Sequence, residues 1–432
     1  MKSVYISLSA DTLHHGHMKL IEEGRKYGKI TVGLLTDKAI SEFKNLPYLK
    51  FDQRKKILLN IKGVEKILPQ NEYDESINIK KYKPNYVIHG DDWKQGYDKV
   101  FRKKVLKVLS SYGGKLIELP HTKDISSTIL KKYQNLNFAT PDTRRSALRR
   151  LLEAKNFLRF LEAHNPISAL IAENLEIKKK EKKLSFDGFW SSSLTDSTSM
   201  GKPDNEYVDN SLRLSSINHI FDVTSKPLIF DADTGGKIEH FEMKIKTIER
   251  AGVSAIIMED KTGLKKNSLF KDTKNQKQED IKIFSKKISL GKKAQASKDF
   301  MIIARIESFI LGKNLNDAMK RAHAYIEAGA DGVMIHSKNK NPKEVFSFAK
   351  SFRKIYKDIP LICVPSTYSQ VTEKELKKNG FNIVIYANHM MRAAYPAMLN
   401  VASKILKNGR AKEAEKKLFS IKNILELIPG TK

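Results

Sequence analysis

The sequence predicts an α/β protein of two domains in series, an open Rossmann-like βα domain followed by a closed (β/α)8 barrel. Three observations carry this. The chain's 432 residues exceed what one hydrophobic core usually holds, which favours units of ~100–200 residues. Short β-branched runs alternate with helical stretches along most of its length. The alternation breaks at "FATPDTRRSALRR", residues 138–150, where Pro, Asp and Thr precede an apolar-periodic segment and read as a loop and a helix start. The expected division is therefore 1–135 and 148–432, with 136–147 as linker.

In the first part, "SVYISLS", "KITVGLLT" and "YVIHG" read as strands, with "HMKLIEEGRKYG" and "QRKKILLNI" as helices between them. In the second, strand cores fall at "PLIFDAD", "SAIIMED", "MIIARIE", "DGVMIH", "PLICVPS" and "NIVIYAN", separated by helical stretches such as "AMKRAHAYIEAGA". Six strands in one series of helices suit a closed barrel better than an open sheet. The segment "EIKKKEKKLS", 176–185, reads as a solvated surface excursion.

Composition narrows the function classes. With 40% hydrophobic and 30% charged residues the chain can bury a sizeable core. No apolar run approaches the ~20 residues of a membrane span, and "MKSVYISLSADTLHHGH" lacks a signal peptide's apolar stretch, so a cytoplasmic protein is expected. The single cysteine, Cys363, excludes a disulfide framework and reads as a core residue. A net charge of +30 attracts anions, whether nucleic acid, acidic lipid or phosphorylated metabolites, and no block interleaves basic residues with aromatics, which argues against nucleic acid alone.

Barrel enzymes work at the C-terminal ends of their strands. Those ends carry Asp231 and Asp233, Glu259 and Asp260, Arg305 and Glu307, His336 and Ser337, and Asn388. Asp231 and Asp233, two apart on an extended strand, present both carboxylates to one side, and with Glu259 they form a hard-oxygen set suited to Mg2+.

The run "MEDKTGLKKNS" resembles the E-D-K-x5-N-S motif of phosphoenolpyruvate mutase, in the isocitrate lyase superfamily. The resemblance extends over "FLEAHNPISA", "GFWSSSLTDSTSMGKPDNE", "PLIFDADTGG", "IIARIESFI", "AGADGVMIHSK" and "VIYANHMMRA". The catalytic cysteine that isocitrate and methylisocitrate lyases carry in this loop is missing. The resemblance implies a gate loop in which Lys265, Asn267 and Ser268 close over a bound anion, with Asn267 touching the phosphoryl group in transit. It implies Mg2+ held largely through water by Asp231, Asp233 and Glu259. Arg305 and His336 are then expected to grip the phosphoryl and enolate oxygens, and Asp204 to orient the reacting group. Trp190, Ser192, Ser193, Leu194 and Asn388 are expected to line the substrate pocket, with Ser192-Ser193 standing where the family often has Ser-Gly.

In the first domain "DTLHHGH" sets His14 and His17 around Gly16 at a helix N-terminus, an arrangement suited to an anion. The stretch resembles the HxGH signature of cytidylyltransferase-like nucleotidyltransferases, with supporting matches at "FDQRKKILLNI", "YVIHGDDWKQG" and "ISSTIL" in the order seen in glycerol-3-phosphate cytidylyltransferase. It implies that His14, His17 and Lys44 stabilise the triphosphate of CTP. Ser9, Asp11, Gly16, Arg54, Asp91, Trp93, His121, Ser126, Ser127 and Thr128 complete the implied nucleotide site. Two departures stand out: Leu8-Ser9-Ala10-Asp11 replaces the usual G-[TS]-F-D, and His121 replaces an arginine.

Together the halves resemble the bifunctional fusions of fosfomycin-type phosphonate biosynthesis. That likeness implies phosphoenolpyruvate and phosphonopyruvate as barrel substrates, CTP and a phosphonate acceptor such as 2-hydroxyethylphosphonate or 2-aminoethylphosphonate for the first domain, and a separate decarboxylase to drain phosphonopyruvate. A homo-oligomer, dimer or tetramer, is the family's tendency. A phosphonopyruvate hydrolase is the competing reading, with the Asn-Ser end of the gate loop against it.

Overall fold

A computed structural model describes residues 2–43, 46–120, 139–179, 182–263, 265–268, 276–416 and 418–428. Lys44, His121, Ser126, Ser127 and Thr128 lie outside the described residues. The first part is a five-stranded parallel sheet of β1 (Ser3–Leu8), β2 (Lys29–Leu35), β3 (Val64–Gln70), β4 (Tyr86–Gly90) and β5 (Lys115–Leu119), in the order β3-β2-β1-β4-β5. Alternation along β1 decides what each face buries. Val4 and Ile6 pack with Ile30, Val32 and Leu58 on one side, and Tyr5 packs with Ile79, Val87 and Val105 on the other. The strand order reverses between β1 and β4, and ligands of such sheets bind at the carboxyl ends beside that switch.

The second part opens with a helix, Pro141–Ala154, started as its sequence suggests: Thr140 caps it through its hydroxyl and Pro141 takes the first turn, where no N–H is needed. Its strands are β6 (Leu158–Glu162), the surface hairpin β7 (Glu176–Lys179) and β8 (Lys182–Ser185), β9 (Gly188–Ser191), β10 (Leu228–Asp231), β11 (Ala255–Glu259), the short pair β12 (Lys261–Thr262) and β13 (Lys277–Gln278), β14 (Met301–Ile306), β15 (Gly332–Ile335), β16 (Leu361–Cys363) and β17 (Ile383–Tyr386). Eight of them close a parallel barrel in the order β10-β11-β14-β15-β16-β17-β6-β9.

The sequence reading places six of those eight and misses β6 and β9. The first reads Leu-Arg-Phe-Leu-Glu, with a charge inside it, and the second is only Gly-Phe-Trp-Ser, too short for an alternation to register. The lysine-rich excursion is ordered as the hairpin β7–β8, with Ile177 half exposed.

Alternate residues of the barrel strands again split into two cores. Phe230, Ile256, Ile302 and Val333 meet the outer helices, whereas Ile229, Ile257, Ile303, Ile362 and Ile383 fill the barrel interior. Leu148 and Leu151 of the opening helix join the interior layer and plug its lower end. A fully buried leucine contributes roughly 1.5–3 kcal/mol, so the plug is part of the barrel's stability and not an appendage. Cys363 lies fully buried in the outer core. No helix among the described residues is long and apolar enough to cross a membrane.

Candidate functional site

The open mouth of the barrel gathers its polar residues by strand register. Asp231 and Glu259 end β10 and β11, Arg305 lies one residue before the end of β14 and pairs across the sheet with Glu259, and His336 follows β15. Asp233 sits beyond β10 at φ 54°, and Gly235 and Gly236 follow at φ 80° and 72°, so the chain turns back sharply above the two carboxylates as Asp-x-Asp-x-Gly-Gly suggests. The pocket is lined by Trp190, Ser192, Ser193, Leu194, Asn267 and Asn388, together with Met334, Val364, Ser366 and Ala387. Those four gave no sequence signal, because small and apolar residues at strand ends look like core.

Lys265, Asn267 and Ser268, in the loop after β11, line this pocket. The Lys265 ammonium donates to Asp204 Oδ1 at 2.7 Å and is also paired with Asp233 and the Ser193 hydroxyl. Asn267 Nδ2 donates to the second Asp204 oxygen at 2.8 Å. Asp204 therefore accepts from both Lys265 and Asn267, one through each carboxylate oxygen. Ser268 Oγ sits deeper, donating to Glu307 Oε2 at 2.5 Å and accepting from Lys261 Nζ and Arg305 at 2.9 Å each. Ser193 begins a helix with ordinary backbone geometry, and its hydroxyl adds a 3.0 Å bond to Asp231 that glycine has no group to make.

Beneath this loop lies a charge network the sequence reading captured only in part. Arg305 spans Glu307 at 2.6 Å, Glu259 at 3.2 Å and His336 Nδ1 at 3.0 Å. Arg213, fully buried, donates to Asp196 at 2.9 Å and to the Asp231 carbonyl at 2.5 Å, and it also pairs with Asp233 at 3.5 Å. Asp196, Arg213, Lys261 and Glu307 had no assigned role. Arg213 stands in a helix whose Leu-Arg-Leu pattern gives no hint that the arginine faces inward.

Burial opposes every charge here, and neighbours decide which survive. Asp231 is desolvated, yet Lys265, Arg305 and Arg213 hold its carboxyl below the usual range. Burial wins at Asp233, raising it, and pushes Glu259 up to about 7 despite Arg305 and Lys261. Burial and then Arg305 push His336 down, so its imidazole is neutral near pH 7. Lys265 is desolvated too, but Asp233, Asp231, Glu259 and Asp204 keep it protonated.

This donor set suits a hard divalent cation held through water. Glu259 Oε1 is buried and makes no hydrogen bond, with the Lys261 ammonium 3.2 Å away as an ion-pair partner, and Asp231, Asp233 and Glu259 offer only carboxylate oxygens. Among the described residues no three carboxylates, histidines or cysteines converge closely enough to ligate one ion directly. The Lys265 ammonium fills part of the cationic role.

At the carboxyl edge of the first sheet, His14 caps the helix His15–Tyr27 and forms a reciprocal pair with His17. His14 Nδ1 accepts from Gly16 N–H at 3.2 Å and His17 Nδ1 accepts from His14 N–H at 3.3 Å, with the rings 3.9 Å apart. Both Nδ1 atoms thus accept from backbone N–H groups. If the first domain transfers nucleotides as its resemblance implies, replacing His17 with alanine is expected to slow that transfer by about 10²–10³-fold, read as pyrophosphate release, without changing barrel turnover.

Arg54 does not present its guanidinium to a ligand. It is fully buried and donates to the carbonyls of Leu49, Ser9 and Leu35 at 3.1, 2.5 and 2.9 Å and to Asp37 at 2.6 Å. It shapes the site from below, by holding the Ser9 turn. Trp93 also faces inward, stacked on His89 and donating to Glu118 at 2.8 Å, while Asp91 opens the short helix Asp91–Lys94 beside it. Asp11 accepts from Leu49 N–H at 3.1 Å, next to Ala10 at φ 52°.

A closed barrel whose mouth gathers buried acids, arginine, lysine and histidine defines a (β/α)8 enzyme. The profile of the family described as phosphoenolpyruvate phosphomutase matches residues 148–406, and the chain belongs to that family. The cytidylyltransferase-like profile matches residues 9–133, so the enzyme carries an N-terminal cytidylyltransferase-like domain. The barrel is similar to the phosphoenolpyruvate phosphomutase of Streptomyces platensis subsp. rosaceus, at 34% identity and a TM-score of 0.60, over 66% of this chain and 94% of that one. It is equally similar to a phosphonopyruvate hydrolase solved with oxalate and Mg++, at 37% identity and a TM-score of 0.59, over 67% and 95% of the two chains. The first domain is 34% identical to glycerol-3-phosphate cytidylyltransferase of Bacillus spizizenii over 31% of this chain and 96% of the relative.

Proposed function

We propose that the barrel interconverts phosphoenolpyruvate and phosphonopyruvate with Mg2+, and that the first domain transfers a cytidylyl group from CTP to a downstream phosphonate such as 2-hydroxyethylphosphonate or 2-aminoethylphosphonate. The observation that carries the barrel reading is the Lys265–Asp204–Asn267 closure, which puts an ammonium and a carboxamide over the pocket. In this isomerisation the P–O bonding pair remains on oxygen as a ketone forms, and the alkene pair makes the new C–P bond. No proton changes hands. Catalysis then reduces to holding the pieces and stabilising a metaphosphate-like charge distribution. Arg305 and neutral His336 face the enolate oxygen, Lys265 and Asn267 face the phosphoryl oxygens, and the lid excludes the water that would otherwise capture phosphorus. When bound near Asp231, Asp233 and Glu259, Mg2+ supplies charge stabilisation for the enolate and carboxylate.

Hydrolysis is the second reading, because a hydrolase is as similar as a mutase. It needs water activated beside phosphorus. Asn267 cannot take a proton, and its amide is already donating to Asp204. With phosphonopyruvate and Mg2+, accumulation of phosphoenolpyruvate that EDTA stops supports the mutase; stoichiometric pyruvate would overturn it. A separate enzyme such as a decarboxylase must drain phosphonopyruvate, since C–P formation runs uphill.

The proposal includes a homo-oligomer built on the C-terminal helix, His389–Asn408, none of whose residues is buried although Tyr395, Met398 and Leu406 are 67%, 61% and 87% exposed. Light scattering is expected to give a multiple of the 49.2 kDa chain mass. Met398→Glu with Leu406→Glu should shift it to monomer, and an unchanged mass would place the contact elsewhere.

A further inference from the structure

We infer that Arg150, on the helix that plugs the barrel, is a positioning residue for the nucleotide site of the other domain. The plug helix faces two ways. Leu148 and Leu151 fill the barrel interior, whereas Arg150, between them in sequence, reaches the first domain. Its Nη2 donates to the Pro47 carbonyl at 2.6 Å and its Nη1 to the Tyr48 carbonyl at 3.3 Å. Leu46 packs against the barrel's interior cluster beside it.

The next residue, Leu49, is held from the opposite side. Its N–H donates to Asp11 and its carbonyl accepts from Arg54, each at 3.1 Å. Residues 47–49 are thus clamped between a barrel arginine and two residues of the nucleotide edge. Asp37 ties the clamp a second time, lying 2.6 Å from Arg54 and 3.9 Å from Arg150. Arg54 in turn fixes the Ser9 carbonyl just ahead of the His14–His17 turn.

The Arg150 side chain is 14% exposed, so its bonds are shielded from competing water. A planar guanidinium donating to two successive carbonyls fixes both the position and the orientation of that peptide segment, which a single ammonium cannot do. The barrel therefore serves the first domain as scaffold, and fusion of the two is structural as well as metabolic.

This inference rests on the nucleotide reading above, and the test separates the two. Mg2+–CTP is titrated calorimetrically into the full-length protein and its Arg150→Met and Arg150→Lys variants, with phosphonopyruvate isomerisation measured on the same samples. The expected result is CTP binding weakened at least tenfold by methionine and less by lysine, with isomerisation unchanged. Wild-type binding that neither variant weakens overturns the inference alone. So does an equal loss of binding and isomerisation in both variants, since that assigns Arg150 to overall stability. A wild-type protein that binds no CTP overturns the nucleotide reading and the inference with it.

Discussion

Lys265→Met is expected to lower barrel turnover by about 10²–10³-fold while leaving CTP-dependent pyrophosphate release unchanged. Lys265 meets Asp204, Asp233 and Ser193 together. Methionine keeps the length and the apolar stem but removes the charge that balances those acids in the closed state. The lid then loses its attraction both to the carboxylates and to the incoming dianion, and water enters the pocket. The effect should fall on kcat and on kcat/KM alike, because an interaction completed on closure matters most at the transition state. A variant that turned over normally would show the closed arrangement to be irrelevant to chemistry.

Arg54→Met should destabilise the first domain by about 3–5 kcal/mol, the usual consequence of breaking a buried charge pair by deleting one partner. Asp37 loses its 2.6 Å ion pair, and the carbonyls of Ser9, Leu35 and Leu49 lose their donor. Differential scanning calorimetry should show a first-domain transition lowered by on the order of 10 °C or more, with the barrel transition in place. The loss of CTP turnover follows from the collapse of the Ser9 turn. If the domain melts normally and only CTP affinity falls, Arg54 contacts the nucleotide after all.

The residues most legible in the sequence were those whose position is set by one strand. Asp231 and Glu259 end strands of clear apolar character, Arg305 lies one residue before such an end and His336 one after, so strand and place at the barrel mouth could be read together. Partners brought from another element were not legible. Arg213 and Asp196 meet across 17 positions of chain, and nothing local distinguishes that arginine from one facing solvent. Arg54 shows the same limit in reverse. Its sequence neighbourhood matched a nucleotide-binding pattern, but only the fold shows the guanidinium turned inward to three carbonyls. The two unplaced barrel strands were lost because β9 has four residues and β6 an internal arginine, so periodicity had too little to work on.

The most direct test of the mutase reading is 31P NMR of the full-length protein with phosphonopyruvate and Mg2+, run in the downhill direction. Replacement of the phosphonate resonance by that of an enol phosphate is the predicted outcome. A spectrum in which inorganic phosphate grows in its place, with pyruvate in equal amount, would contradict it.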